Sequence, residues 1–307
     1  MGNKMQTQLL NKRKFRLKEK YIPLILILPT IIFYILFWLT PVLLGVYESF
    51  TTEAGKFTLS NYIYIFRDGG FGKAILCTGL FVMISIFIQY ILAMVLALIL
   101  NMKFRFNKLL LFIVMIPMAI TPTAIAIIWK TGLRETGWIN SILINLHLSK
   151  EMITFLEAKG FNAILMLVSI DTWTVLPSII IILLAGLQNL NVEMKEVGAV
   201  FGATKWQITK DIVIPILKPS IITSMLLRII AATQIWVLVV MVLGYNAIPF
   251  MVERIAYYVE FVPNAPNAEK MAYAMSIIVA AIVFITTIIY YRAAKKNSIL
   301  EIEKNEK

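Results

Sequence analysis

Residues 188–219 read QNLNVEMKEVGAVFGATKWQITKDIVIPILKP and lie between two long apolar segments of the chain. The stretch mixes helix-forming residues with charged ones and ends at two prolines. Connections between helices are usually much shorter than this. A loop of this length with helical character predicts a docking element for a partner in the water phase.

The composition of the chain excludes an ordinary soluble domain. Of its 307 residues, 60% are hydrophobic and only 15% are charged, whereas soluble domains are about 45–50% apolar and about 25% charged. The chain is therefore predicted to be an all-α integral membrane protein. Because it holds one His (His147) and one Cys (Cys77), neither a His/Cys metal cluster nor an internal disulfide can form within it.

Six stretches are long and apolar enough to cross a bilayer as helices, which takes about 20 residues each. They are residues 21–50, 74–100, 109–129, 161–187, 220–243 and 271–291. A basic N-terminal arm (1–20) precedes this domain, residues 188–219 form its long inner loop, and a tail (292–307) follows. The prolines inside the third and fourth spans predict that these helices line the bundle interior or a cavity.

The distribution of Lys and Arg predicts the orientation. With the N-terminus inside, the inner segments hold 19 of these residues and the outer segments hold nine. Because basic residues concentrate on the cytoplasmic side, both termini are predicted to be inside. This bias accounts for the net charge of +12 without a nucleic-acid partner. The basic arm is expected to touch anionic lipid headgroups.

Residues 189–204 have the period of an amphipathic helix. Gly198, Gly202 and Ala203 are small, and small residues let another backbone or a bulky side chain approach closely. A second short helix is predicted over residues 203–212, because Pro215 and Pro219 would end it before the next span. An amphipathic helix lying on lipid is the alternative interpretation.

The segments EVGAVFGA (196–203) and IVIPILKP (212–219) resemble the EAA motif of the permease subunits of ATP-binding-cassette (ABC) importers. In that family this loop is the coupling helix that sits in a cleft of the ATPase subunit. Val197 and Gly198 replace the usual Ala-Ala, and Phe201 replaces a common Asp. By this resemblance the ATPase-coupling residues are Glu196, Val197, Gly198, Gly202, Ala203 and Pro215.

Further segments resemble the sugar-permease branch of that family. They are NYIYIF (61–66), GWIN (137–140), DTW (171–173) with Pro177, and Leu227-Arg228. The Gly-Gly-Pro often found after the fifth helix is replaced by GYNAIP (244–249). The resemblance covers about residues 20–300 and implies the type I importer permease fold, in the cell membrane of a bacterium or archaeon.

The resemblance also implies partners and a cargo. These are a second six-span permease, two ABC ATPase subunits, an extracellular solute-binding lipoprotein, and a sugar or oligosaccharide. No cofactor and no catalytic residue are expected. The chain has no G-x-x-x-x-G-K-[ST] segment for nucleotide phosphates, so ATP hydrolysis is expected on another subunit.

Ionisable residues in spans are costly and usually face an interior or an aqueous path. Asp171 and Arg228 are such residues, and either they line the substrate pathway or they pair between helices. In the sugar-permease branch, contact positions lie on the helices equivalent to the fourth and fifth spans. The resemblance therefore makes Val175, Ser178, Ala231 and Gln234 candidates for the pathway. Trp173 is a further candidate, because its ring could stack on a sugar face.

Two other functions stay open from the sequence. The same machinery could import a glycerol phosphodiester or a polyol, although Arg228 alone is a weak basic lining for an anion. An ion-coupled secondary carrier would need a coupling carboxylate near the midplane, for which Asp171 is the only candidate.

Overall fold

The computed structural model describes residues 22–102, 105–190, 192–260 and 267–305. In these ranges every extended regular element is a helix, and one isolated bridge joins Thr51 to Phe57. The predicted basic arm lies outside the described residues, and the predicted tail is helical as far as Asn305. The prediction of an all-α protein is confirmed.

The first helix, α1, is Ile22–Ser49, and its residues up to Glu48 belong to a compact unit separate from the rest of the described chain. A π-helical turn interrupts it at Ile35–Leu39, where the Thr40 N–H donates to the Ile35 carbonyl. The Thr40 hydroxyl donates to the same oxygen at 2.9 Å. Pro41 follows directly and has no N–H, so the wider bonding pattern carries the helix past the proline.

Eleven further helices are described in the rest of the chain. In order they are α2 Ser60–Arg67, α3 Gly69–Leu100, α4 Asn107–Met115, α5 Pro122–Gly132, α6 Trp138–Asn145, α7 Gly160–Gln188, α8 Val192–Val200, α9 Lys205–Thr233, α10 Val237–Leu243, α11 Met251–Glu260 and α12 Ala268–Asn305. Five of the described helices are long and apolar enough to cross a membrane, and they are α1, α3, α7, α9 and the Ala268–Ala294 part of α12.

The third predicted span, residues 109–129, is not one straight helix. α4 and α5 are joined through a 3-10 turn at Ile116–Ala119 and bend by 99° at the break between them. Pro122 cannot continue the hydrogen bonds of α4, and the Thr121 side chain instead caps α5 by accepting from the Ala124 N–H. Taken together, the two helices are long and apolar enough to cross a membrane, so the described residues hold five candidate spans, or six if this pair counts as one.

The fifth predicted span, residues 220–243, is shifted along the chain. α9 begins at Lys205, passes through a π-helical turn at Ile208–Val213, and ends at Thr233. The prediction that Pro215 and Pro219 end a short helix was therefore wrong. The π-turn bonds the Ile214 N–H to the Thr209 carbonyl, and this shift of bonding pattern accommodates Pro215. After a break at Gln234, α10 completes the apolar stretch.

The core lies where α3 and α7 pack along their lengths. Small buried side chains on α3 let the two helices approach closely, and they are Ala74, Thr78, Ser85, Ala93 and Ala97. α5 and α10 cover one end of this pair and α9 packs along the other. α2, α11 and α12 form a further apolar cluster with the first turns of α3. The central α3–α7 pair thus carries the other helices.

Candidate functional site

The predicted docking loop forms a folded knob, which we define as residues 192–213. It consists of α8, a tight turn and the first turns of α9. Gly202 has φ +81°. Its N–H donates to the Ala199 carbonyl and the Ala203 N–H donates to the Gly198 carbonyl, both at 3.0 Å. These two bonds form a Schellman motif, in which the left-handed position strongly favours glycine. Gly202 therefore sets the direction in which the chain leaves α8.

The second half of the knob is fixed by a capping box. The Thr204 hydroxyl accepts from the Gln207 N–H at 3.3 Å, and the Gln207 side chain accepts from the Thr204 N–H at 2.8 Å. Both otherwise unpaired donors at the start of α9 are thereby satisfied. Since only a few residues separate the two helices, the knob has a defined shape rather than that of a loose loop.

Gly198 lies where the two helices of the knob touch. A Cβ at this position would lie 3.0 Å from Ile212 Cδ1 and 3.3 Å from Ile208 Cγ1. The close approach expected at a small residue is therefore made within the chain, by side chains of α9. A Cβ on Gly202, by contrast, would meet nothing within 4 Å.

The tip of the knob is apolar and exposed. Val200 and Phe201 keep 85% and 86% of their surface accessible, and Trp206 keeps 70%. Glu196, Val197 and Pro215 are also exposed, and Ala203 is half-buried. An exposed Phe beside an exposed Val on a rigid turn is costly in water, so the tip is suited to contact with another surface. Trp206 was not predicted from the sequence as part of this surface.

Asp171 and Arg228 pair with each other inside the helix bundle. The Arg228 guanidinium contacts the Asp171 carboxylate directly, and its Nε donates to Gln89 Oε1 at 2.7 Å. Gln89 Nε2 donates to the same carboxylate at 2.8 Å. We call these three residues the polar triad. It joins α3, α7 and α9, and all three side chains are buried. This is the interhelical pairing that the sequence analysis held as one of two alternatives.

Gln89 is the member of the triad that the sequence analysis missed. The sequence could have indicated it, because Gln89 places a carboxamide in the middle of an otherwise apolar span, where a polar group needs a hydrogen-bond partner. A second interhelical bond lies one residue along α3, where the Tyr90 hydroxyl donates to Ser224 Oγ of α9 at 2.9 Å. Gln89 and Tyr90 therefore connect the middle of α3 to α7 and α9.

The other candidate pathway residues are not brought together with the triad. Trp173 is partly exposed and packs edge-to-face on Trp129 at 5.7 Å between ring centroids. The Ser178 hydroxyl donates to the Val175 carbonyl of its own helix at 2.7 Å. Gln234 is exposed at the break after α9. Their assignment to a substrate pathway stays a prediction.

A second polar cluster joins α11 to the start of α3. The Arg254 guanidinium contacts the Asp68 carboxylate, which also accepts from the Tyr258 hydroxyl at 2.9 Å and the Gly70 N–H at 3.0 Å. Burial acts to raise the pKa of Asp68, but these hydrogen bonds and the Arg254 charge hold that pKa below its ordinary value. Burial raises the pKa of Tyr258 to about 12. The cluster therefore stays ionised as a pair near neutral pH.

Comparison with known proteins assigns the chain to a family. Residues 89–298 match the family model described as binding-protein-dependent transport system inner membrane component. A probable ABC transporter permease of Brucella suis is 27% identical over 296 residues, which are 92% of this chain and 99% of that protein. The trehalose/maltose transport system permease protein MalF of Thermococcus litoralis is 29% identical over 247 residues, covering 78% and 82% of the two chains.

The fold also matches a solved structure. A chain of a bacterial alginate ABC transporter, in complex with an alginate pentasaccharide-bound periplasmic protein, superposes with a TM-score of 0.79 at 21% identity. The match covers 92% of this chain and 96% of that one. The resemblance stated from the knob sequence is thus confirmed at the level of family and fold. The chain belongs to the binding-protein-dependent transport system inner membrane components, which are the permease subunits of ABC importers.

Proposed function

We propose that this chain is one of two permease subunits of an importer that carries a sugar or oligosaccharide into the cytoplasm. An extracellular binding protein delivers the cargo, and two ABC ATPase subunits supply the energy from the cytoplasm. The observation that carries the proposal is the knob, whose exposed apolar tip stands on a rigid turn at the end of a membrane helix.

The tip supports ATPase docking better than it supports lipid contact. Glu196 is exposed on α8, and Lys205 and Lys210 are exposed on the start of α9, so the knob carries both signs of charge around Phe201. A helix that lies on lipid would show a broad apolar face with a basic polar face. A small apolar centre with a mixed charged rim is instead the usual composition of a protein interface.

A sugar cargo is supported by relatives and by the charge of the bundle. The permease of Thermococcus litoralis is named for trehalose and maltose. Arg228 is compensated by Asp171 in the polar triad, so this cation is not available to attract a phosphodiester. The same pairing argues against Asp171 as the coupling carboxylate of an ion-coupled carrier, since its carboxylate is already bonded to Arg228 and Gln89.

The proposal is tested by purifying the tagged chain from native membranes in detergent. We expect a second six-span permease and an ATPase subunit to co-purify, with ATPase activity stimulated by a binding protein and a screened sugar. The variant Phe201→Ala should lose the ATPase subunit. Leu148→Ala is the matched control, because Leu148 is an exposed apolar residue in the loop after α6. A chain that purifies alone and shows proton- or sodium-dependent flux in vesicles would refute the proposal.

A further inference from the structure

α9 belongs to the knob and to the membrane bundle at once. It runs as one helix through 29 residues from Lys205 to Thr233, which corresponds to about 43 Å at 1.5 Å per residue. Its first turns make half of the knob. A force on the knob therefore acts directly on a membrane helix, without a flexible connection between them.

Arg228 lies 23 residues beyond the start of this helix, and it ties α9 to two others. Its Nε bonds Gln89 of α3, and its guanidinium contacts Asp171 of α7. Gln89 closes the ring by donating to Asp171. One side chain of α9 is thus held from two directions, by helices that pack closely on each other.

Stability alone does not explain a buried ion pair at this place. Removing two charges from water is costly, and apolar residues of similar size often support a fold equally well. The attested use of buried polar groups is to select one register among several. Apolar contacts, such as those of Leu217 with the end of α7, tolerate sliding of one helix along another. The directional hydrogen bonds of the triad do not tolerate such sliding.

We propose that the polar triad locks α9 in register with α3 and α7, so that a displacement of the knob moves these three helices as one body. The inference rests on the proposed function, because the displacement comes from the ATPase subunits. Gln89, Asp171 and Arg228 are then positioning residues for transport. They act through the rigid body and not by touching the cargo, in agreement with their burial. Without the lock, α9 would slip past its neighbours and the outer half of the bundle would lag behind the knob.

The test measures whether α9 slides along α7 when nucleotide binds. Spin labels are placed at Lys210→Cys, exposed on the knob, and at Phe161→Cys, exposed at the opposite end of α7. Cys77 is first replaced by Ala. The distance between the labels is measured by pulsed electron paramagnetic resonance in the reconstituted complex with its partner permease and ATPase subunits. The spectra are compared without nucleotide and with a non-hydrolysable ATP analogue.

Three backgrounds decide the outcome. The first is the chain with the intact triad. The second carries Gln89→Met, Asp171→Leu and Arg228→Met together, which removes every charge and leaves no group of the triad unpaired, so that folding is retained. The third is Thr174→Val on α7, the matched control, because the Thr174 hydroxyl donates to the Ile170 carbonyl within its own helix at 2.9 Å.

With the triad or with Thr174→Val, we expect the distance between the labels to stay the same when nucleotide binds. In the apolar triple variant we expect a shift of about 5 Å, one helical turn, with assembly and apparent Tm retained. The same response in all three backgrounds, whether rigid or sliding, would overturn the lock. A complex that contains no ATPase subunit would refute the proposed function, and it would also refute the locking role of the triad, which depends on that function.

Discussion

The Schellman turn at Gly202 provides the sharpest quantitative prediction for the knob. Gly202 has φ +81°, and a Cβ added there would meet nothing within 4 Å of the chain. Its replacement therefore costs only backbone strain and creates no internal clash. For a residue with a Cβ, the left-handed conformation costs about 1–2 kcal/mol. Asn tolerates this conformation better than Ala, and a β-branched Val tolerates it worst.

The strain can weaken docking. A cost of about 1–2 kcal/mol lowers the equilibrium constant between the native turn and its alternatives by a factor of about 5–30. The apparent Kd for a partner that needs the native turn rises by the inverse of the fraction that still holds this turn, and so by at most the same factor. We therefore expect the affinity for the ATPase subunit to fall in the order Gly, Asn, Ala, Val, with Ala up to about tenfold weaker than the native chain.

The assay is a titration of purified ATPase subunit onto the permease pair in nanodiscs. Gly72→Ala serves as the control, because Gly72 lies in α3 without a positive φ and with nothing within 4 Å of its added Cβ. An unchanged affinity for Gly202→Val would refute the link between turn geometry and docking. If Asn weakened binding as much as Val, the ATPase would have to contact this Cα directly, and strain would not be the cause.

Three further predictions concern packing and charge. Gly198→Ala should still bind the ATPase subunit, because the Ile212 methyl can shift by a few tenths of an ångström. Gly198→Leu should force the two helices of the knob apart, at a cost of about 1–3 kcal/mol in stability, and should no longer retain the ATPase subunit in a pull-down. Glu253 is fully buried and accepts from a backbone N–H at 2.8 Å; burial raises its pKa, so its charge costs stability as pH rises through that pKa. Glu253→Gln should therefore raise the apparent Tm at pH 7, and the gain in Tm should vanish below the ordinary Glu pKa of about 4.3. An equal gain in Tm at all pH values would contradict a role of the buried charge. Asp68→Asn should lower the apparent Tm at pH 7, because it removes hydrogen bonds to a charged group that are worth about 1.5–3 kcal/mol. Since the pKa of Asp68 is lowered in the fold, the difference in Tm should shrink as pH falls below about 3.9. A difference in Tm that persists at pH 3 would show that the carboxylate charge is not responsible.

Local patterns in the sequence were sufficient for the existence of the long apolar helices and for the helical character of the knob. Two of the five long helices, α1 and α7, begin and end within one residue of the hydropathy boundaries; α7 was predicted over 161–187 and is found at Gly160–Gln188. Because lipid offers no hydrogen-bond partners, a long apolar segment must pair its own backbone N–H and C=O groups, and a helix does so within the segment. Gly202 marked the end of α8 because its left-handed backbone conformation is a local requirement.

The prolines show where local patterns stop being sufficient. Pro215 was predicted to end a helix, yet a π-helical turn carries α9 past it. Pro122 stands at the 99° break between α4 and α5, and Pro177 lies inside an uninterrupted α7. The same missing N–H thus led to three outcomes. Which one occurs depends on whether neighbouring groups can take the freed carbonyls, and that is a property of packing.

By itself, the sequence determined the membrane class, the family and the existence of the knob, because each of these follows from residues close together in the chain. Only the tertiary structure decided what Asp171 and Arg228 do. They are 57 residues apart, and Gln89 is 82 residues from one and 139 from the other. A buried charge must find a partner, but which helix supplies that partner is decided by the packing of three spans, which no single segment encodes.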